Sequence, residues 1–304
     1  MTKPQIVVEK IATYTGHTDC IYALCAGSTE KEFFTSGGDG MVVLWNTKSG
    51  DEGELICKLE NSVYTLLFLE DCQLLAVAEN TKGIRFLDIK TKTEIFNVAI
   101  PQTSFFDLKY HNNYLWICTH TGEVVIVDIL SKKIIHKITT ATQSARCAVI
   151  VPEKNQIWIG YSDYRIRIYD LDNFAQLADF EAHNNSVFSL CYHQPSSSVY
   201  SGGRDAHLKS WNVNDLSLQY DVPAHLFAIN NIVLSTHAEY TYTCSMDKSI
   251  KIWDTSTLRL LKVIDKARHA SHGTSINKIL YLDDKLVSVS DDRKISIWHI
   301  QKHL

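Results

Sequence analysis

Seven times along this chain of 304 residues a short polar turn is followed by a strand-like run that closes on a bulky side chain. Four copies are plain: SGGDGMVVLWN at 36–46, SGGRDAHLKSWN at 201–212, CSMDKSIKIWD at 244–254 and SVSDDRKISIWH at 288–299. Three weaker ones fill the intervals: NTKGIRFLD at 80–88, HTGEVVIVD at 120–128 and YSDYRIRIYD at 161–170. The last strand position falls at Trp45, Leu87, Val127, Tyr169, Trp211, Trp253 and Trp298, so neighbouring copies stand 40 to 45 residues apart. Short runs rich in Val, Ile, Tyr and Thr, with almost no helical periodicity, make each repeat a set of four short strands. That is the unit of a β-propeller blade.

The chain is therefore read as all-β, one seven-bladed β-propeller of four-stranded antiparallel blades spanning residues 1–304. A ring must join its last blade to its first or leave a sheet edge open. Only six residues follow Trp298, too few for a fourth strand, whereas QIVVEKIATY at 5–14 runs directly into the first repeat. Residues 5–14 are expected to complete blade seven and close the ring.

Composition narrows the function classes. With 45 % of residues apolar the chain can bury a large core, yet no run reaches the roughly 18 apolar residues of a membrane helix. The start, MTKPQIVVEK, breaks into charge too early for a secretory signal, so the cytoplasm is the expected compartment. The net charge is −4 and Lys and Arg are scattered singly, which provides no field for nucleic acid or a membrane surface. The eight cysteines form no Cys-x-x-Cys pair and mostly interrupt apolar runs, so they read as reduced core residues.

Within the repeats the recurring residues are Gly16-His17 with Asp39 and Trp45, Ala182-His183 with Asp205 and Trp211, Ala224-His225 with Asp247 and Trp253, and His272 with Asp292 and Trp298. In the first three the His precedes the Trp by 28 residues. On these residues the chain resembles the WD-repeat family over nearly its whole length, although only IWD at 252–254 ends in a literal Trp-Asp pair. The resemblance implies a buried hydrogen-bond chain in four blades: His17-Thr35-Asp39-Trp45, His183-Ser201-Asp205-Trp211, His225-Thr243-Asp247-Trp253 and His272-Ser288-Asp292-Trp298. Such a chain has a physical logic, since a buried indole N–H needs an acceptor and a buried carboxylate needs donors. Blades two and three lack the His and the turn Asp, and blade four keeps Asp163 but has Tyr169 for the Trp. Those blades are expected to rest on packing more than on polar bonds.

Read alone, SGGRDAHLKSW at 201–211 offers Ser201, Asp205 and His207 beside Gly202 and Gly203, the ingredients of a hydrolase. A nucleophilic serine needs a base aimed at it and an oxyanion site facing substrate. Here the same His, Ser or Thr, and Asp recur in four blades with a Trp each time, and four copies of one active site in so small a protein make no sense. Catalysis is not expected, and the two glycines read as turn residues. The remaining histidines, His111, His120, His136, His193, His207, His237, His269, His299 and His303, show no metal-ligand spacing, and His269 with His272 reads as a structural pair in a connecting loop. No metal and no cofactor are expected.

In WD-repeat proteins partners often dock on the top face of the ring. In that family the position just after the first apolar residue of the innermost strand lines the central mouth, and counting five residues past each His, or its equivalent, the resemblance implies Tyr22, Tyr64, Phe106, Arg146, Phe188, Asn230 and Asn277 there. The residues before the turn Asp share the rim: His120, Ser162, Arg204, Met246 and Asp291. Tyr, Phe and Arg anchor interfaces because they supply large contact area with few rotors. The expected function is a non-catalytic scaffold, monomeric by itself, that binds a protein or peptide there. Arg146 and Arg204 suit an acidic or phosphorylated segment, and the aromatics suit an apolar side chain or, converging as a cage, a methylated lysine. The rival is a propeller enzyme of hydrolase or lactonase type with a metal in the central channel, which needs acidic or histidine ligands where the sequence puts mainly aromatics.

Overall fold

The computed structural model describes residues 5–48 and 50–303, so residues 1–4, 49 and 304 of the expected unit lie outside the described residues. The described strands form seven antiparallel sheets of four strands each. Blade one shows the pattern, running from the inner strand Ile21–Ala26 through Glu32–Gly37 and Met41–Asn46 to the outer strand Glu54–Lys58. Blades two to six repeat it in sequence order, with inner strands Val63–Leu69, Phe105–His111, Ala145–Val151, Val187–His193 and Ile229–Leu234.

The middle strands are buried on both faces because each sheet is sandwiched between its neighbours. In blade five every residue of Ser198–Gly203 is buried, whereas the outer strand Leu218–Pro223 is mostly exposed. This double burial goes with the apolar or small residues that fill most of the second strands.

Blade seven takes three strands from the end of the chain, Ile276–Leu282, Lys285–Ser290 and Ile295–His303, and its outer strand from the beginning, Gln5–Tyr14. Ile6 stands opposite Lys302, Val8 opposite Ile300 and Tyr14 opposite Ile295. The third strand therefore runs on past Trp298, because the closing strand needs that length to pair. Tyr14 ties the seam to blade one, its ring 5.6 Å from that of Trp45 and its hydroxyl donating to the Asn46 carbonyl at 3.0 Å.

Three local expectations are corrected. Gly202 and Gly203 lie in the second strand of blade five, not in a turn. A Cβ on Gly202 would meet Ile229 Cγ2 at 2.6 Å and one on Gly203 would meet His183 Nδ1 at 2.8 Å, so close approach, not turning, requires glycine there. Cys72 is exposed in a turn, although all eight cysteines are free and Cys118, Cys147 and Cys244 are buried.

Blades two and four also carry polar networks of their own. Glu79, fully buried, accepts from Arg85 Nε at 2.6 Å and from the Asn61 side-chain amide at 3.3 Å. In blade four the Tyr169 hydroxyl bonds Thr140 at 2.6 Å and Tyr161 at 3.2 Å, while Arg167 lies 4.6 Å from the Tyr161 ring and pairs with Asp163 at 2.7 Å. The blade interface encloses the same positions in every repeat, and a polar side chain that lands there is costly to bury unless it finds a partner.

Candidate functional site

The four His-containing sets come together in space. His17 Nδ1 lies 3.0 Å from Asp39 Oδ2 and Nε2 lies 2.7 Å from Thr35 Oγ1, which accepts from Trp45 Nε1 at 2.7 Å. The corresponding bonds are 3.0, 2.7 and 2.8 Å for His183, Asp205, Ser201 and Trp211, and 2.8, 2.7 and 2.9 Å for His225, Asp247, Thr243 and Trp253. For His272, Asp292, Ser288 and Trp298 they are 3.0, 2.9 and 2.9 Å.

The donors follow by elimination. An indole can only donate and a carboxylate can only accept, so the hydroxyl oxygen accepts from the indole and Nδ1–H donates to the carboxylate, with Nε2 and the hydroxyl joined between them. Ser201, fully buried with its oxygen already an acceptor, has no path to a substrate. His207 turns away from it and bonds Asp221.

Burial alone would push the Asp205 carboxyl up, but the hydrogen bond and charge of His183 and the amides of Asn184 and His207 hold it down at about 2. Burial pushes the His225 imidazole below its ordinary 6.5, against the pull of Asp247. Both shifts favour the deprotonated group in the fold, so the unfolded chain binds more protons and stability rises with pH. On acidification the His225 contribution is lost below about pH 6.5 and that of Asp205 between about pH 4 and 2. Thermal melts against pH are expected to fall gently below about 6.5 and steeply below about 4. A melting temperature unchanged from pH 7 to 3 would contradict the assignment.

The mouth is built by a defect repeated seven times. Every inner strand carries a bulge at one place: between Ile21 and Ala23, Val63 and Leu66, Phe105 and Asp107, Ala145 and Cys147, Val187 and Ser189, Ile229 and Asn231, and Ile276 and Lys278. A bulge leaves a residue out of the ladder and re-aims its side chain. The residues set free in this way include Tyr22, Tyr64, Phe106, Arg146, Phe188, Asn230 and Asn277, and all seven line one cavity of about 330 Å³ at the centre of the ring. Lys278, on the far side of the last bulge, joins them and was not anticipated from the repeat count.

Around that cavity the aromatic rings form an arc. Tyr22 meets Tyr64 edge-on at 5.1 Å, Tyr64 lies parallel to Phe106 at 6.2 Å, and the Arg146 guanidinium sits 4.2 Å from Phe106 and 5.4 Å from Phe188. Arg146 Nε donates to Ser162 Oγ at 2.8 Å, and no carboxylate pairs with the guanidinium among the described residues. The opposite side is amide. Asn230 Nδ2 donates to the Ile276 carbonyl at 2.8 Å, and Asn277 Nδ2 donates to Asp291 at 2.7 Å and the Ile21 carbonyl at 2.9 Å. These two amides clip blade six to seven and seven to one.

Three rim residues support the mouth rather than standing free. Ser162 holds Arg146, Asp291 holds Asn277, and His120 packs against Phe106 with ring centres 6.0 Å apart. Arg204 is exposed outside the cavity, and its charge together with burial lowers the proton affinity of Arg146, burial being the larger cause.

Beside it, Leu226, Phe227 and Met246 are 83 %, 60 % and 49 % exposed. The Leu226 amide donates to Asp247, and the Met246 amide donates to the Ala228 carbonyl, so all three sit on the loops anchored by the blade-six network. Only Met246 was singled out from the sequence; the Leu-Phe pair directly after Ala224-His225 was the missed signal. Among the described residues no group of three or more His, Cys, Asp or Glu could hold a metal ion, and no helix is long and apolar enough to cross a membrane.

Comparison with known proteins agrees with this geometry. The family model for the WD domain, G-beta repeat, matches residues 8–46, 174–212 and 216–254. Protein groucho of Drosophila melanogaster is 21 % identical over 203 residues, 64 % of this chain and 27 % of its own length. Transcription factor unc-37 of Caenorhabditis elegans is 23 % identical over 189 residues, 57 % of this chain and 30 % of its own, and striatin-3 of Homo sapiens 21 % over 216, 65 % and 27 %. The matched region is thus under a third of each relative. The crystal structure of the WD40 beta propeller domain of Doa1 superposes with a TM-score of 0.85 over 96 % of both chains at 15 % identity, a likeness of fold. Three matched WD repeats are thus set in a closed ring of seven four-stranded blades, the fold of a seven-bladed β-propeller.

Proposed function

We propose that the chain is a non-catalytic binding module that takes an acidic segment of a partner protein into the mouth of the ring. The observation that carries this reading is Arg146: pinned between Phe106 and Phe188, tethered by one nitrogen and unopposed by any carboxylate among the described residues, its two terminal nitrogens are left for a ligand. A planar guanidinium held in place suits a carboxylate or phosphate, and little conformational freedom is lost on binding. Lys278 in the cavity and Arg204 outside it add charge of the same sign. Tyr22 and Tyr64 continue the floor for apolar atoms of the segment, and Leu226, Phe227 and Met246 offer a separate apolar patch on the blade-six loops.

The methyl-lysine reading is less well supported, because Arg146 already fills the cationic place between two rings and Tyr22, Tyr64 and Phe106 pack on one another. The enzyme reading lacks a donor set. A library of displayed peptides selected on the chain is expected to enrich Asp, Glu or phosphorylated residues next to an aromatic or aliphatic one. Enrichment indifferent to charge would sink the proposal. The same reading has the module act as a monomer in the cytoplasm, and a concentration-independent dimer in sedimentation would overturn that part.

A further inference from the structure

A cavity of about 410 Å³ lies away from the mouth, on the seam where the N-terminal strand closes the ring and beside the His272–Asp292 pair. Three lysines from three separate elements converge on it: Lys10 from the closing strand, Lys266 from a one-turn helix, Lys266–His269, between blades six and seven, and Lys294 from the turn before the last strand. Lys10 Nζ donates to the Ala270 carbonyl at 2.9 Å. Lys266 Nζ folds over the backbone of Gly273, only 3.3 Å from where a Cβ would stand.

None of the three ammonium groups has an ion-pair partner among the described residues. The one carboxylate lining the cavity, Asp292, is committed to His272 at 3.0 Å and to the amides of Gly273 and Lys294 at 3.4 and 3.1 Å. Burial depresses the proton affinity of Lys10, Asp292 offsets part of this and Lys294 opposes it.

A second, independent feature points the same way. Ser271 and Ser296 also line the cavity, are 7 % and 1 % exposed, and have hydroxyls with no hydrogen-bond partner among the described residues. A buried hydroxyl without a partner is destabilising, and like charges gathered around a concavity repel. One ligand chemistry relieves both: an anion with several acceptor oxygens, which lysines and hydroxyls can surround as donors.

We propose that this cavity binds the phosphoryl group of a small phosphorylated molecule, and that occupancy stabilises the closed ring. A volume of about 410 Å³ falls within the roughly 300–1,000 Å³ of small-ligand sites, leaving room beyond the phosphoryl group. Because the ligand would touch the closing strand, the helix loop and the last turn together, binding ties the seam and raises thermal stability.

The test is calorimetry and thermal melting of the whole chain with inorganic phosphate, with adenosine monophosphate, and with chloride at matched ionic strength. Phosphate is expected to raise the melting temperature saturably where chloride does not. Tighter binding of the nucleotide assigns an organic phosphate and equal binding assigns the free ion, either of which supports the site.

Lys266→Gln and Lys294→Gln, both at exposed positions, are each expected to weaken binding about tenfold without lowering the melt in chloride. Ser271→Ala is expected to weaken phosphate binding without lowering the melt in chloride, an outcome that a purely structural hydroxyl would not produce. Phosphate indistinguishable from chloride, or all three variants binding as the parent does, overturns the proposal. None of these residues lines the mouth, so this site and the peptide site fail separately.

Discussion

Arg146→Ala weakens binding of a selected acidic peptide by about 30-fold or more while leaving the melting temperature close to that of the parent. The size follows from its place: a central, half-buried arginine between two rings is the type of residue whose truncation costs about 2 kcal/mol or more at an interface. Stability changes little because the side chain is half-buried, gives one hydrogen bond, to Ser162, and leaves no buried carboxylate behind. Arg146→Lys is expected to fall between, since an ammonium keeps the charge but neither stacks as a plane nor offers two parallel donors. Arg204→Ala, on the rim, should slow association and flatten the salt dependence with little effect on dissociation. Calorimetry and surface-binding kinetics on the same peptide separate these cases. An Arg146→Ala protein that binds like the parent, or that melts many degrees lower, would remove Arg146 from the role proposed.

Thr243→Val in blade six lowers the melting temperature by about 5–10 °C. Thr243 is fully buried, and its oxygen joins Trp253 Nε1 at 2.9 Å to His225 Nε2 at 2.7 Å. Valine has the same shape, so no cavity opens, but an indole N–H and an imidazole nitrogen lose their partner together. Each such loss costs about 1–3 kcal/mol, and for a chain this long each kcal/mol lowers the melt by about 2–4 °C. Ser256→Ala, in an exposed turn where the hydroxyl only bonds Asp254, is the matched control with little effect. A shift below about 1 °C for Thr243→Val would mean that the four-residue chain is not what holds the blade.

Much of the architecture was legible because one structural unit recurs. The recurring Trp, with His 28 residues before it, set register in blades one, five and six, and the short tail after Trp298 located the closing strand. The degenerate blades were harder. Nothing in the line of residues ties Glu79 to Arg85, or Thr140 to Tyr169 across 29 positions, until neighbouring sheets enclose them. Apart from the closing strand at 5–14, the outer strands scarcely read at all, since a face open to water selects for little.

By itself, the sequence determined the seven repeats, because periodic residues in a ring of equal blades must occupy equivalent places; the buried hydrogen-bond chains and the positions five past each His came from its resemblance to the WD-repeat family. The tertiary structure alone decided what those places do. Bulges in the inner strands turn seven scattered side chains toward one centre, and ring closure brings Lys10 beside Lys294 from the opposite end of the chain. Stacking, charge and hydrogen bonding act across space, and separation along the chain does not report them.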